Sequence, residues 1–101
     1  MPIDITDVPL PPAIYDHAPS GVVEAHSGSL SDLEYLCHTQ WRIVTNDVSV
    51  GCSWPSRGVW IVILPRIGGE VTPELQARVW RHEIGHVNGW PADHPGARYV
   101  P

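Results

Sequence analysis

The clearest pattern of apolar and polar positions lies between residues 72 and 89. Thr72, Pro73 and Glu74 have the order of an N-cap, a first helical residue and an acid in the first turn. Apolar residues then recur at spacings of three and four positions, which places them on one side of a helix. Gly89 suits the left-handed conformation that often ends a helix. The pattern therefore predicts an amphipathic helix that runs from Pro73 to Gly89.

Three stretches upstream of this helix have the composition of β-strands. Residues 41–45 and 48–54 alternate apolar with polar or small side chains, and Asn46-Asp47 between them suits a tight hairpin turn. Residues 59–64, with the sequence VWIVIL, are an unbroken run of β-branched and aromatic residues, which is typical of a strand buried on both faces. We expect these stretches to form a small antiparallel three-stranded meander that packs on the helix.

Two further segments complete the expected fold. Five of the eleven prolines fall within residues 1–20, which show neither helical nor alternating periodicity, so we expect an extended arm that lies over the domain or is partly disordered. Residues 29–37 place Ser31 three positions before Glu34, the spacing of a capping box, and predict a second short helix. The expected fold class is α+β, with the proline-rich arm at 1–20 and one compact domain at 21–101.

Composition and charge exclude several classes of protein. The net charge is -5, lysine is absent and the six arginines are scattered, so the chain has no basic stripe suited to nucleic acid. It has neither an apolar run of the roughly 20 residues needed to cross a bilayer nor the pattern of a secretory signal. We therefore expect a cytoplasmic protein with no nucleic-acid or membrane partner. Cys37 and Cys52 leave open two buried thiols or one disulfide.

The candidate chemistry lies on the predicted helix. His82 and His86 are four residues apart, on the same side of the helix, so both imidazoles can reach one ion at Zn–N distances of about 2.0–2.1 Å. Glu83 is rotated about the helix axis by roughly 100° from His82, which keeps it out of the ligand set but beside a metal-bound water. The spacing thus predicts a Zn²⁺ site with His82 and His86 as ligands and Glu83 as general base.

The run His82-Glu83-Ile84-Gly85-His86 resembles the H-E-x-x-H active-site helix of the zincin metallopeptidases. It is also similar to small uncharacterised bacterial and phage proteins that end in such a segment, over roughly the last forty residues. In the metzincin branch the motif continues as x-x-G-x-x-H, and Gly89 matches its glycine. Ala92 stands where the third ligand would be, and the only methionine is Met1, so the metzincin methionine turn is absent. The resemblance implies a minimal zincin-like domain.

The third ligand is then expected just beyond Ala92. His94 is favoured, because imidazole suits zinc and three histidines leave a fourth position open to water. Asp93 is the alternative, either as a ligand or as the acceptor that orients a histidine. Cys52 is a further alternative through a resemblance to peptide deformylases, in which a cysteine on an upstream strand binds the metal. That family has an aspartate before the second histidine, where this chain has Gly85.

The resemblance implies hydrolysis of a peptide bond in a peptide or protein substrate, by water that zinc activates and Glu83 deprotonates. It also implies an edge strand that holds the substrate backbone, for which Val59 to Leu64 or a neighbouring strand is the candidate. Tyr35, Arg98 and Tyr99 are candidates for stabilising the oxyanion. Two alternatives stay open: a zinc-stabilised structural or partner-binding domain without turnover, which the short chain favours, and a deformylase-like amide hydrolase.

The other histidines and the tryptophans are expected to have structural roles. His17, His26 and His38 are expected at the surface or in loops. The five tryptophans are expected to pack the interior, because the chain has no phenylalanine and few other large side chains.

Overall fold

The computed structural model describes residues 3–101 and places a four-stranded sheet between two helices. The strands are β1 (Val23–Gly28), β2 (Ile43–Thr45), β3 (Val48–Ser56) and β4 (Val59–Pro65). The helices are α1 (Leu30–Leu36) and α2 (Pro73–Val87), and a short 3-10 turn covers Ile5–Asp7. The order of strands across the sheet is β1-β4-β3-β2. The expected α+β class is confirmed.

The expected meander is present as three of the four strands. β2, β3 and β4 are antiparallel neighbours, and the hairpin between β2 and β3 turns at Asn46 and Asp47 with φ of 50° and 63°. Left-handed residues at both positions give the turn the twist that a two-residue hairpin needs. The prediction missed β1, which pairs in parallel with β4 and makes the sheet mixed. Four of its six residues are exposed, so its sequence, VEAHSG, has no apolar alternation to reveal it.

The position of β4 differs from the expectation for a substrate-binding edge strand. β4 is hydrogen-bonded to β1 on one side and to β3 on the other, so β1 and β2 form the edges of the sheet. Its burial is also uneven. Val62 and Ile63 are buried as expected, whereas the first three residues of the strand are only half-buried.

The two helices cover opposite faces of the sheet. Val62 and Ile63 are successive residues of β4, and successive side chains of a strand point to opposite faces. The cluster beneath α1 contains Leu33, Cys37, Cys52 and Ile63. The cluster beneath α2 contains Val62, Ile84 and Val87.

The start of α1 differs by two residues from the expected capping box. The Ser29 hydroxyl accepts from the Asp32 N–H, and the Asp32 carboxylate accepts from the Ser29 N–H. The expected pair of Ser31 and Glu34 is therefore wrong, although the short helix is present. Glu34 instead accepts a hydrogen bond of 2.8 Å from the Ser49 N–H of β3.

A disulfide joins α1 to the sheet. Cys37 at the end of α1 is bonded to Cys52 of β3, fifteen residues away, and both are fully buried. Disulfides persist in oxidising compartments, so this bond does not support the expected cytoplasmic location. Within residues 3–101, no helix is long and apolar enough to cross a membrane.

Residues 3–20 of the proline-rich arm lie along α2 with a 3-10 turn at Ile5–Asp7, residues 8–11 are buried, and residues 1–2 lie outside the described residues. Leu10 forms an antiparallel bridge with Arg98, and the Arg78 guanidinium donates to the Val8 carbonyl at 2.7 Å. Pro11 lies so close to the helix that a Cβ atom added at Gly85 would be 2.7 Å from the Pro11 Cβ. Glycine at position 85 is therefore what allows the arm to pack against the middle of α2.

Candidate metal centre

Helix α2 begins and ends as its sequence predicts. The Thr72 hydroxyl accepts from the Leu75 N–H at 3.1 Å, Pro73 is the first helical residue, and Gly89 follows the end of the helix with φ of 110°. The helix packs Ile84 and Val87 on the sheet. His82 and His86 are each 1% exposed, so both histidines lie on the buried side of α2.

The structure brings His82, His86 and His94 together. The Nε2 atoms of His82 and His94 are 3.1 Å apart, and the Nε2 atom of His86 is 3.2 Å from each of them. Gly89 turns the chain after α2, and the Trp90 N–H then donates to the Gly85 carbonyl at 2.9 Å. His94 itself is left-handed, with φ of 59°, a strained conformation for a residue other than glycine. In this conformation the His94 imidazole lies beside the imidazoles of His82 and His86.

The other ring nitrogens of the two helical histidines are held by backbone carbonyls. Nδ1 of His82 lies 2.7 Å from the Pro9 oxygen, and Nδ1 of His86 lies 2.8 Å from the Trp90 oxygen. A carbonyl oxygen only accepts hydrogen bonds, so each Nδ1 must carry the proton and each Nε2 a lone pair. The lone pairs of His82 and His86 thus face each other with no proton between them. Such an arrangement fits a cation between the rings.

The separation of the three nitrogens also suits zinc. Zn–N distances of about 2.0–2.1 Å in a tetrahedral site place two nitrogen ligands roughly 3.3–3.4 Å apart. The observed separations of 3.1 to 3.2 Å are close to this range. The three histidines form a group whose ligand atoms all lie within 4.8 Å of one another.

Burial keeps the histidine rings neutral. Loss of solvation, reinforced by the neighbouring imidazoles, lowers the pKa of His82 to about 3 and that of His86 to about 4. The pKa of His94 is also lowered by burial, against the opposing charge of Asp93. Protons compete with metal ions for imidazole nitrogen, so rings that stay neutral near pH 7 are ready to bind a metal.

Tryptophan rings enclose the histidine cluster. Trp90 is fully buried and stacks on His86 with ring centroids 4.9 Å apart and an interplanar angle of 13°. Its indole N–H donates to the Pro95 carbonyl at 2.8 Å, which links the ring to the end of the loop that follows it. Trp41 meets His86 edge to face, with ring centroids 5.0 Å apart and an interplanar angle of 67°. Trp90 is an interior residue as expected, whereas Trp41 and Trp60 are only half-buried.

Glu83 lies between α2 and the sheet. It is fully buried, and its Oε1 accepts a hydrogen bond of 2.7 Å from the Ser53 hydroxyl of β3. Its other oxygen, Oε2, has no hydrogen-bond partner in the described part of the chain. Burial raises the pKa of Glu83 to about 8, and a cation at the nearby histidines would act in the opposite direction. Glu83 does not belong to the group of three histidines that could hold a metal ion.

The structure does not bring the alternative ligands to the cluster. Asp93 is exposed and does not belong to the ligand group. Cys52 is bonded to Cys37, so its sulfur is not a free thiolate of the kind that the deformylase-like alternative needs. His94 is therefore the third ligand that the geometry supports.

The three oxyanion candidates are also separate from the site. Tyr35 and Tyr99 are 82% and 63% exposed, and Arg98 donates to the Pro11 carbonyl and to Asp16. Among residues 3–101, no hydrogen bond, ion pair or ring contact joins any of the three to the histidine cluster. His17, His26 and His38 are exposed, as expected.

Sequence reasoning missed several residues that build the site. Pro9 and Trp90 act through main-chain oxygens, which leave no trace in the identity of a side chain. Ser53 had a weak signal, because it occupies a polar position of the strand that the alternating pattern identified. Trp41 had none that separated it from the other tryptophans.

No family model matches this chain, and comparisons with curated proteins and with solved structures also find no match. The resemblance to zincins therefore depends on the motif at residues 82–86.

Proposed function

We propose that the protein is a zinc-dependent hydrolase that cleaves peptide bonds, with His82, His86 and His94 as ligands and Glu83 as general base. The observation that supports it best is the convergence of three Nε2 atoms within 3.2 Å, two of them from the helix that also carries Glu83. Structural zinc sites usually have four protein ligands, whereas catalytic sites have three and an open position. Three histidines fit the catalytic pattern.

Each residue of the site has a role in the proposed reaction. When bound, zinc supplies polarisation of a carbonyl oxygen and makes water a better nucleophile near neutral pH. The Pro9 and Trp90 carbonyls hold two imidazoles in the orientation that presents Nε2. The Ser53 hydroxyl holds Oε1 of Glu83 and leaves Oε2 free to take a proton and to return it to the leaving amine.

A second candidate function is a zinc-stabilised structural or partner-binding domain without turnover. The burial of Glu83 favours it, because a carboxyl that is 0% exposed cannot contact a substrate until neighbouring residues move. A small domain also gains folding free energy directly from a structural metal. The two functions share the zinc site and differ in what Glu83 does.

Metal analysis combined with peptide cleavage separates these functions. We expect one zinc per chain in wild type and in Glu83→Gln, measured by mass spectrometry of the metal, and cleavage of a mixed peptide library in wild type alone. Glu74→Gln is the matched control, because Glu74 is an exposed acid on the same helix, and this variant should keep both properties. Zinc without cleavage in wild type would favour the structural function. Absence of zinc from wild type would contradict both.

The third ligand is tested with a variant that preserves the backbone. Asparagine adopts the left-handed conformation readily, so His94→Asn removes the imidazole while tolerating φ of 59°. We expect zinc affinity to fall by at least about 100-fold. Mutation of residues that only hydrogen-bond to metal ligands already lowers metal affinity by about 10–100-fold. Asp93→Asn should bind zinc like wild type. An unchanged affinity in His94→Asn would exclude His94 as a ligand.

A further inference from the structure

A pair of half-buried tryptophans, Trp41 and Trp60, adjoins the histidine cluster through Trp41. The ring centroid of Trp41 is 5.0 Å from that of His86 and 5.5 Å from that of Trp60. Trp41 and Trp60 meet edge to face at 82°, and both are half-buried. Trp90 also contacts His86 but is fully buried, so it has no surface left for a ligand. Trp41 and Trp60 therefore form an accessible apolar surface directly beside a candidate zinc ligand.

The segment that carries Trp41 is tied to the sheet. It starts at Cys37, which is bonded to Cys52 of β3. The Thr39 hydroxyl accepts from the Trp41 N–H at 3.1 Å and lies 3.4 Å from the Ser53 carbonyl, to which it donates. Trp60 belongs to β4, an inner strand. Both rings are thus held by β3 and β4, and a surface that is already ordered loses less entropy when it binds a ligand.

We propose that Trp41 and Trp60 form a subsite that selects substrates with an aromatic or large aliphatic side chain next to the scissile bond. This inference rests on the proposed function. Aromatic rings attract one another edge to face at centroid separations of about 4.5–7 Å, so a substrate ring can join the existing pair as a third member. The contact between Trp41 and His86 places such a side chain beside a peptide group at the zinc site.

The subsite is tested by binding two zinc-chelating probes that differ only in a phenyl ring. Acetohydroxamic acid and phenylacetohydroxamic acid have the same hydroxamate, so the ratio of their affinities for zinc-loaded protein reports on the phenyl ring alone. We expect wild type to bind the phenyl compound about tenfold more tightly, the ratio that about 1.4 kcal/mol produces. In Trp41→Leu and in Trp60→Leu, the ratio should fall to about twofold, because the aromatic part of the contact is lost.

Trp54→Leu is the matched control. Trp54 is a half-buried tryptophan of β3 that packs against the cluster beneath α1, on the other face of the sheet. This variant should keep the tenfold ratio, and circular dichroism and zinc content show which variants are folded and loaded. A tenfold ratio that persists in both Trp41→Leu and Trp60→Leu would assign the selectivity elsewhere.

The outcomes separate this inference from the proposed function. Zinc-loaded wild type that binds both hydroxamates equally, or that binds neither, contradicts the subsite while leaving the metal site in place. Wild type that holds no zinc contradicts the proposed function itself.

Discussion

The two faces of the sheet are stabilised by different means. Beneath α1, a small apolar cluster is closed by the disulfide between Cys37 and Cys52. On the side of α2, four charged or titratable side chains are 5% exposed or less: Arg78, His82, Glu83 and His86. Burying such groups is unfavourable unless hydrogen bonds or opposite charges compensate. The α1 side therefore combines apolar packing with a covalent cross-link, whereas the α2 side buries polar groups beside its apolar clusters.

The source of the compensating contacts explains how the α2 side is held together. Arg78 donates to the Val8 and Val100 carbonyls, while the Pro9 and Trp90 carbonyls hold the two helical histidines. These oxygens come from the arm and from the segment after α2, and no disulfide cross-links either segment to the sheet. The comparison thus predicts that metal and arm contacts determine the stability of the α2 side, whereas the disulfide determines the stability of the α1 side.

Zinc should give the largest effect. A ligand that binds only the folded state at 1,000 times its Kd stabilises that state by about 4 kcal/mol. We expect zinc to raise the free energy of unfolding of wild type by about this amount, measured by urea denaturation with zinc and with a chelator. His86→Ala should show no such increase, because its ligand set is incomplete. Equal stabilisation of both proteins would mean that zinc acts outside the histidine cluster.

Removing the disulfide should give the second largest effect. Cross-linking a loop of about 15 residues stabilises a protein by roughly 3 kcal/mol in the chain-entropy description. The double variant Cys37→Ala and Cys52→Ala should therefore lose about 3 kcal/mol of unfolding free energy. Its zinc affinity at 25 °C should stay within about threefold of wild type, because the ligands lie on the other side of the sheet. A tenfold loss of affinity would show that the two faces are coupled.

Gly85→Ala should disturb the packing of the arm. The new Cβ would lie 2.7 Å from the Pro11 Cβ and 3.0 Å from a ring carbon of Trp90. Overpacking costs about 1–3 kcal/mol, and the higher helix propensity of alanine offsets about 1 kcal/mol of it. We expect a net loss of about 1 kcal/mol in unfolding free energy. Zinc affinity should fall by about tenfold, because Pro9 on the displaced arm orients His82.

Gly21→Ala is the control for this prediction. A Cβ atom at Gly21 would have no other atom within 4 Å, so the variant should unfold and bind zinc like wild type. If Gly85→Ala loses stability but keeps its zinc affinity, the arm supports the fold without positioning the ligand.

The sequence predicted those parts of the molecule that depend on local patterns. Helix α2, its two histidines and the hairpin at Asn46 and Asp47 follow from spacing and turn chemistry within a few residues. His94 was predicted because Gly89 marks where the chain turns and imidazole suits zinc. β1 could not be predicted, because its pairing with β4 spans more than thirty residues and its exposed face needs no apolar pattern. The grouping of three histidines is thus easier to predict from the sequence than the residues that surround them.

The contacts of the arm at the histidine cluster could not be predicted either, because they join residues that are far apart in the sequence. Pro9 contributes a main-chain oxygen, and Pro11 explains a glycine in the motif only through a contact across more than seventy residues. Likewise, the hydrogen bond from Ser53 to Glu83 joins a strand and a helix that are thirty residues apart. Such contacts depend on tertiary packing, which a single sequence does not display.

The smallest predicted effect concerns Asp16, which ties the arm to α2. Its carboxylate accepts from Arg81 at 2.6 Å and from Arg98 at 2.8 Å. The hydrogen bond and charge of Arg81, with a further contribution from Arg98, hold the pKa of Asp16 below its usual range. A carboxyl group whose pKa is lowered by folding stabilises the folded state above its unfolded pKa of about 3.9. That contribution is lost as the pH falls through the lower, folded pKa.

Asp16→Asn should therefore be less stable than wild type at pH 7 and about as stable in strong acid. The difference at pH 7 should be about 1 kcal/mol or less, because Arg81 and Arg98 are 49% and 39% exposed and water screens their charges. Urea denaturation between pH 7 and pH 2 should show the gap closing below about pH 4, and 1 M salt should narrow it at pH 7. If the difference in unfolding free energy between the two proteins does not change with pH or salt, Asp16 holds the arm through hydrogen bonds that asparagine cannot replace. The arm would then be fixed to α2 by the geometry of these hydrogen bonds rather than by charge.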